Sequence, residues 1–398
     1  MSALPRRIQR LLLQPGRRDK IRHKVRRFVA RRRPAVRANR ALMARELATH
    51  SAQLESHPTT LIIDPVTACN LRCPFCPTGG GYAKMKRELL TPELFERVTQ
   101  HLRTELLEEV FLYNWGEPFL NPHSLDYIRH FARRGIYTEI STNFSMQDFD
   151  DDFFERLVDS GLSELKVSVD GASQETYEKY RVRGDFERVV RNMQRLAEIK
   201  RARRRSYPHV TYRMLLNKHN QHDVAAAAEI AEACGADFNP DPGFWCPDDE
   251  RDEWMADTVA AQADANGSGN GTASNSPEPG TPTADVPLTA ANDSVPGKPA
   301  PIERAPIETY CRQLWDTVIV NANGDVYPCC LIFKPEHEVG NLAEQDISEV
   351  RNAPKMLYLR RYVTDPETAA PDFDNHCEGC TDRHCVVQQP AFRQQPRQ

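Results

Sequence analysis

Nine of the eleven cysteines fall into two groups, and their spacing sets the chemistry open to this chain. Cys69, Cys73 and Cys76 lie within "DPVTACNLRCPFCPTG", three thiols on one short loop. Three thiolates can hold three irons of a cubane cluster, which leaves the fourth iron able to take a substrate or cofactor. Zinc is the rival metal, but a structural zinc site wants a fourth protein ligand, and no His follows at a suitable spacing. The second group is Cys311, Cys329, Cys330, Cys377, Cys380 and Cys385. Here "CRQLWDTVIVNANGDVYPCC" reads as a hairpin, with a strand at 317–320, a turn at 321–324 and a second strand ending in cysteine. It brings Cys311 back towards Cys329, and "CEGC" supplies Cys377 and Cys380 from a later loop. Four thiolates from two loops can close an iron–sulfur site completely, and a zinc ribbon is the alternative.

Grouped cysteines in a chain of this size without a secretory signal read as metal ligation in a reducing cytosol rather than as disulfides. Leu11, Leu12 and Leu13 are too few for a signal-peptide core, and no apolar run approaches the roughly 20 residues of a membrane span. The chain has 398 residues, 40% hydrophobic and 27% charged, which excludes a fibrous or wholly disordered protein. Its formal net charge of −4 conceals an asymmetry: residues 1–45 hold 16 Lys and Arg against the single acid Asp19.

The elements that must position these thiols follow from the hydrophobic pattern. Strand-like runs at 60–63, 109–113, 137–142, 164–169, 209–216 and 237–239 alternate with amphipathic helical stretches, among them 92–107 behind Thr91 as N-cap and 185–200. Alternation of this kind implies a parallel sheet with helices outside. Six units predict an α/β fold, a partial (β/α)6 TIM-like barrel, followed by a small C-terminal α+β iron–sulfur domain. The first cysteine loop then follows the first strand, at the sheet edge where active sites of such folds collect. Residues 248–308 are dominated by Asp, Ala, Gly, Asn, Ser, Thr and Pro, and read as a disordered linker. The expected organisation is a basic arm over 1–45, the barrel over 46–247, the linker, and the cluster domain over 309–398.

Cys69-x3-Cys73-x-Phe75-Cys76 resembles the defining motif of radical S-adenosylmethionine enzymes. "LYNWGEP" at the end of the second strand is similar to that family's "GGEP" motif, with Trp115 in place of its first Gly. "STN" (Ser141 to Asn143) and "SVDG" (Ser168 to Gly171) end the third and fourth strands in the expected order. The resemblance spans residues 59 to about 245. It implies that Cys69, Cys73 and Cys76 hold a catalytic 4Fe–4S cluster whose open iron binds S-adenosylmethionine. One electron then splits the cofactor, giving a 5′-deoxyadenosyl radical that abstracts hydrogen from substrate. By the same resemblance Phe75 packs near the adenine, Gly116 and Glu117 line the methionine amino group, and Ser141, Asn143, Ser168 and Asp170 contact ribose and carboxylate. Arg181 and Arg183 are candidates for pairing the cofactor carboxylate, against a reading as a solvated helix entrance. Glu164 and Lys166 are read as surface residues.

The pattern Cys311-x17-Cys329, then Cys377-x2-Cys380, resembles the SPASM and twitch domains of such enzymes. "VGNLAEQDISEVRNAP" is similar to their linking helical segment. The implied auxiliary 4Fe–4S cluster is a single one on Cys311, Cys329, Cys377 and Cys380, with Cys329 preferred to Cys330 on spacing alone. It makes two clusters in all, fed by a low-potential donor such as flavodoxin or ferredoxin. The expected activity is an oxidoreductase or epimerase acting on a carbohydrate, lipid-linked or peptide substrate. The contrasting reading is a zinc- or cluster-stabilised nucleic-acid-binding protein without catalysis. Apolar residues Ile21, Val25, Phe28 and Val29 recur along the basic arm at amphipathic spacing, so the arm is expected to contact an anionic membrane surface from the cytoplasmic side. Nucleic-acid binding, targeting or a solvated tail are the alternatives. Cys246, near the barrel mouth, is either a hydrogen donor to a substrate radical or an ordinary half-buried thiol, and Cys234 reads as core.

Overall fold

The computed structural model describes residues 33–81, 86–257, 311–332, 334–365, 368 and 377. Six β/α units run in order: β1 (Thr60–Ile63), α2 (Pro92–His101), β2 (Glu109–Phe111), α3 (Ser124–Ala132), β3 (Tyr137–Thr142), α4 (Asp151–Asp159), β4 (Glu164–Ser168), α5 (Gln174–Tyr180), α6 (Phe186–Ala202), β5 (His209–Leu215), α7 (Val224–Ala233) and β6 (Asp237–Asp241). A helix α1 (Pro34–Ala48) precedes them, and a single turn α8 (Arg251–Trp254) follows. After it come α9 (Gln313–Asp316), β7 (Thr317–Val320), β8 (Asp325–Tyr327), β9 (Gly340–Asn341), α10 (Ile347–Arg351) and α11 (Pro354–Thr364).

Local chemistry fixes the helix starts. The side chains of Thr91, Asp150, Ser173 and Asp185 each accept from a backbone N–H of the first turn they precede, at Leu94, Phe153, Thr176 and Arg188. The expected helix 92–107 stops at His101, because Leu102 turns extended (ψ 135°) and buries its side chain before a separate turn at Thr104–Leu106. Strand β6 runs on to Asp241 and includes Pro240, which an edge strand tolerates because one side of its backbone needs no partner.

The strands β1 to β6 pair in parallel, each with its sequence neighbour. Alternate residues serve two faces. Leu61, Ile63, Val110, Ile140, Leu165, Val167, Val210 and Tyr212 join the large core under the helices, each worth roughly 1.5–3 kcal/mol of apolar burial. The concave face carries Ile62, Phe111, Tyr113, Tyr137 and Ile319, with Cys329, Cys330 and Leu331 packed against them.

The partial barrel and its C-terminal unit are both present, but the two share one sheet. Strand β7 pairs in parallel with β1, Thr60 against Thr317 through Ile63 against Val320, and β8 and β9 continue antiparallel from it. The resulting order is β6-β5-β4-β3-β2-β1-β7-β8-β9. The β7–β8 turn closes at Gly324, whose φ of 91° favours glycine, with its N–H donated to the Asn321 carbonyl at 2.9 Å. Strand β8 ends at Tyr327, ahead of Pro328, so the cysteine pair lies in the loop beyond it.

Helix α1 begins inside the stretch expected as a basic arm over 1–45 and runs past it to Ala48, burying Val36, Asn39, Met43 and Glu46. Asn39 exchanges hydrogen bonds with the His57 backbone at 2.9 and 2.8 Å, and Arg40 pairs with buried Glu108 at 2.6 Å. The arm residues 1–32 lie outside the described residues. The stretch expected as linker from 248 begins with the α8 turn, whose Trp254 is buried; residues 258–310 lie outside the described residues.

Two buried arginines tie the N-terminal segment to the C-terminal unit. Arg360 donates to the Leu314 carbonyl at 2.9 Å and the Ala52 carbonyl at 2.7 Å, and Arg351 donates to the carbonyls of Ser56 and Trp315. Burial pulls Arg360 down to about 9 and Arg351 to about 10. Removing a partner strands buried acceptors at about 1–3 kcal/mol each. Arg360→Ala is therefore expected to lower urea stability by about 2–4 kcal/mol, with the m-value unchanged if the unit still unfolds with the barrel.

Candidate functional site

The parallel sheet brings the loops after β1, β2, β3 and β4 to one edge, and buried carboxylates lock them together. Asp64 follows β1 and is wholly buried. It accepts from the backbone N–H groups of Asn114 and Trp115 at 2.8 Å each and of Gly116 at 3.3 Å. Strand β2 ends at Phe111, short of the expected Tyr113, with the Leu112 N–H still donating to the Glu139 carbonyl at 2.9 Å. Burial pushes Asp64 up to about 6, the three N–H donors opposing it. Glu117 donates its N–H to the Ala68 carbonyl at 2.8 Å. Its buried carboxylate accepts from the Thr142 hydroxyl at 2.6 Å, the Asn143 N–H at 2.8 Å and the Phe119 N–H at 3.2 Å. Burial raises Glu117 as well. A β-carbon at Gly116 would lie 1.7 Å from the Val66 carbonyl oxygen, so this loop crosses the cysteine loop at a distance only glycine allows.

The cysteine loop is threaded through that frame. The Leu71 N–H donates to the Cys69 sulfur at 3.4 Å, and the Asn143 amide lies 3.7 Å from the same sulfur while donating to Asn70 at 2.9 Å. Arg72 N–H donates to the Val182 carbonyl at 3.0 Å, which holds the loop against the segment after α5. Burial pushes the thiols of Cys69 and Cys73 up to about 12. Arg181 opposes this at Cys73, with its guanidinium 3.8 Å from the sulfur.

Arg181 is anchored by Asp170, its Nε and Nη2 each 2.6 Å from one Asp170 oxygen. Asp170 is fully buried, has a φ of 55°, and accepts from the Leu215 N–H at 2.6 Å through its other oxygen. Arg183, the other candidate, is exposed. Ser141 and Ser168 face each other across β3 and β4, their hydroxyls 3.4 Å apart. Phe75 sits in an aromatic cluster, its ring centroid 5.0 Å from Trp254, 6.0 Å from Phe244 and 6.3 Å from Tyr180. Cys246 is buried in the same cluster, and Cys234 is buried in the main core.

Three thiols on one loop suit a cluster with one open iron, whereas a tetrahedral structural zinc site wants a fourth protein ligand. Three thiols, N–H donation to sulfur and a nearby guanidinium are what an anionic iron–sulfur cluster needs.

The second cysteine group meets the concave face of the barrel. Cys330 is buried against Ile62, Phe111 and Ile319, while Cys329 is half-buried beside it and accepts from the Leu331 N–H at 3.4 Å. With its amide oriented to satisfy both neighbours, Asn114 donates to the Cys330 carbonyl and accepts from the Trp115 indole N–H, each at 3.1 Å. Cys311 and Cys377 are half-buried. Cys380 and Cys385 lie outside the described residues.

Glu164 and Lys166 are not surface residues. Leu165 and Val167 occupy the helix-facing side of β4, so alternation turns Glu164 and Lys166 into the barrel. Lys166 pairs with the almost fully buried Glu139 at 2.7 Å. Sequence reasoning missed this network, and it missed Asp64, Asn70 and Thr142. A charged residue closing the apolar run "TLIID" was the available signal for Asp64.

Residues 63–231 match the Radical SAM superfamily, and residues 311–381 match SPASM, an iron-sulfur cluster-binding domain. The AdoMet-dependent heme synthase of Methanosarcina barkeri (strain Fusaro / DSM 804) is 26% identical over 183 residues, 45% of this chain and 48% of that protein. The mycofactocin maturase MftC of Mycobacterium ulcerans (strain Agy99) is 26% identical over 182 residues, 45% of this chain and 46% of that protein. The chain thus spans about half the length of the curated relatives it matches. Streptococcus suis SuiB bound to S-adenosylmethionine superposes with a TM-score of 0.52 at 16% identity, covering 81% of this chain and 70% of that one. That likeness shows the fold alone.

Two outcomes follow from the frame. Gly116→Ala is expected to cost about 3 kcal/mol or more in thermal unfolding, since backbone must move to admit the methyl. Asp64 has its folded value raised above the ordinary 3.8, so its protonated form favours folding. Measured against Asp64→Asn, the wild type should lose stability as pH rises from about 4 through about 6, and the difference should be flat above that.

Proposed function

Because the chain belongs to the radical SAM superfamily and carries a SPASM iron–sulfur cluster-binding domain, we propose that it cleaves S-adenosylmethionine reductively and abstracts hydrogen from a substrate held in the barrel. The single observation that carries this reading is the cysteine loop held by Asp64, Glu117 and Asn143 at the C-terminal edge of β1 to β3. Cys69, Cys73 and Cys76 would hold a 4Fe–4S cluster there, and that cluster supplies the electron that breaks the cofactor's sulfur–carbon bond.

The protein's own part is orientation and shielding. Glu117 keeps acceptor capacity on its carboxylate beyond its three present donors, in keeping with a role towards a cofactor ammonium. Ser141, Ser168 and Asn143 offer hydroxyl and amide groups along the same edge for ribose and carboxylate. Arg181, bound to Asp170, still directs a guanidinium N–H at Cys73, so it serves the cluster's charge at least as well as the cofactor carboxylate. The aromatic ring set around Phe75 supplies a flat apolar wall suited to adenine and excludes water from the radical's path.

Cys311, Cys329, Cys377 and Cys380 are the proposed ligands of one auxiliary 4Fe–4S cluster, with a flavodoxin- or ferredoxin-like donor. The N–H···S bond at Cys329 favours it over Cys330, whose thiol faces apolar packing. The substrate is proposed to be a small polar molecule, a lipid-linked intermediate or a peptide, processed on the cytoplasmic side. No described helix is long and apolar enough to cross a membrane. Membrane-surface contact through residues 1–45 remains a proposal that liposome sedimentation of the full chain would test.

Protein reconstituted without oxygen is expected to carry about eight irons and eight sulfides per chain, and to form 5′-deoxyadenosine with dithionite. Cys73→Ala should abolish that product. Cys377→Ala should lower iron by about half while sparing cofactor cleavage. Full cleavage by Cys73→Ala, or tightly bound zinc without 5′-deoxyadenosine, would refute the reading and return the chain to a metal-stabilised binding protein.

A further inference from the structure

The segment after α5 touches the cysteine loop at two successive residues. The Val182 carbonyl accepts from the Arg72 N–H at 3.0 Å, and beside it Arg181 Nη1 lies 3.8 Å from the Cys73 sulfur. Cys73 is 3% exposed and the Arg181 side chain 14%, so little water screens this contact. The guanidinium is held from the other side. Its Nε and Nη2 each lie 2.6 Å from one oxygen of Asp170, and its central carbon stands 5.4 Å from the centre of the Tyr180 ring. Asp170 is itself anchored: its second oxygen accepts from the Leu215 N–H at 2.6 Å, and its carbonyl from the Asn220 amide at 3.0 Å.

A buried ion pair is a weak device for stability. This one is asymmetric about the cysteine, because Asp170 occupies the Nε–Nη2 edge and leaves Nη1 for the sulfur. The donors in the loop differ in the same sense. Cys69 has neutral ones, the Leu71 N–H at 3.4 Å and the Asn143 amide at 3.7 Å, whereas the donor at Cys73 carries a full charge. Iron–sulfur potentials follow net charge, hydrogen bonds to the sulfurs and exposure to solvent. A cluster gains one negative charge on reduction, so a cationic N–H aimed at a ligand sulfur favours the reduced form.

We propose that Arg181 raises the reduction potential of the cluster on Cys69, Cys73 and Cys76, so that a flavodoxin- or ferredoxin-class donor can reduce it before S-adenosylmethionine binds. The proposal rests on the reading given above, in which these three thiolates hold a 4Fe–4S cluster. One electron moves and no proton: the donor is oxidised by one electron, the cluster is reduced by one, and no bond to Arg181 forms or breaks. The assignment takes Arg181 away from the cofactor carboxylate, since the fork it would offer is already given to Asp170.

The test is a redox titration of the full-length protein, reconstituted without oxygen, followed by electron paramagnetic resonance in the absence of S-adenosylmethionine. The open-iron cluster is recognised as the signal that S-adenosylmethionine perturbs in a parallel sample. At fixed solution potential, Arg181→Met should lower its reduced-to-oxidised ratio at least tenfold, which is about 59 mV for a one-electron couple. Arg181→Lys, which keeps the charge without the planar fork, should recover part of that loss. Arg181→Met strands the Asp170 charge, so the double variant with Asp170→Asn removes both charges and keeps a side chain that tolerates the φ of 55°. It should shift in the same direction. Any signal indifferent to S-adenosylmethionine should keep its midpoint throughout. An unmoved midpoint in both variants lacking the guanidinium, or an equal shift of every signal, would overturn the proposal, and weaker S-adenosylmethionine binding beside an unmoved midpoint would give Arg181 to the carboxylate. A wild type with no cofactor-sensitive signal would sink the reading above and this proposal together, whereas a cluster with an unmoved midpoint sinks the proposal alone.

Discussion

Two buried carboxylates do for this site what a metal or a disulfide does elsewhere: they fix loops that have no secondary structure of their own. Asp64 gathers three successive backbone N–H groups from the loop after β2, and Glu117, on that same loop, gathers donors from the end of β3. Backbone N–H groups in a buried loop must find acceptors or cost free energy, so these contacts are obligatory rather than decorative. Three strand ends are thereby held in one arrangement before any cofactor arrives. The cysteine loop inherits its shape from them, because Glu117 binds the Ala68 carbonyl and Gly116 lies flat against Val66.

The same frame fixes where the second cysteine group lies relative to the first. Had the C-terminal segment been a separate globule on a long tether, the two groups would have had no fixed relation. Instead β7 is hydrogen-bonded to β1, and the loop carrying Cys329 and Cys330 folds onto the concave face against Ile62 and Phe111. Asn114 bridges that loop to Trp115, a neighbour of Glu117. The polar set on β3 and β4 belongs to this face too.

Much of this was readable in the residues. The strand pattern gave β1 and β3 their observed bounds, because β-branched and aromatic runs leave little ambiguity, and Thr91 capped its helix where expected. The spacing of Cys69, Cys73 and Cys76 placed them on one loop. What could not be read was long-range pairing. Nothing local in "TVIV" says that its partner is "TLII" some 250 residues earlier, since both are merely good strand sequences. The facing of Glu164 and Lys166 failed for a related reason: alternation tells which residues share a side, but the side turned to solvent in an isolated strand is the lumen in a barrel. Helix α1 was hidden because half of its buried residues, Asn39 and Glu46, are polar, so its apolar stripe is weak.

The β1–β7 ladder also sets a condition on how the molecule comes into being. Strand β1 leaves the ribosome some 250 residues ahead of its partner. Until β7 is made, β1 presents a row of unsatisfied amides and carbonyls next to an apolar Leu–Ile–Ile run, the kind of edge that templates association with other chains. The nascent barrel is therefore most vulnerable to aggregation during the interval in which residues 64–316 are translated, and its safe production depends on shielding that single edge.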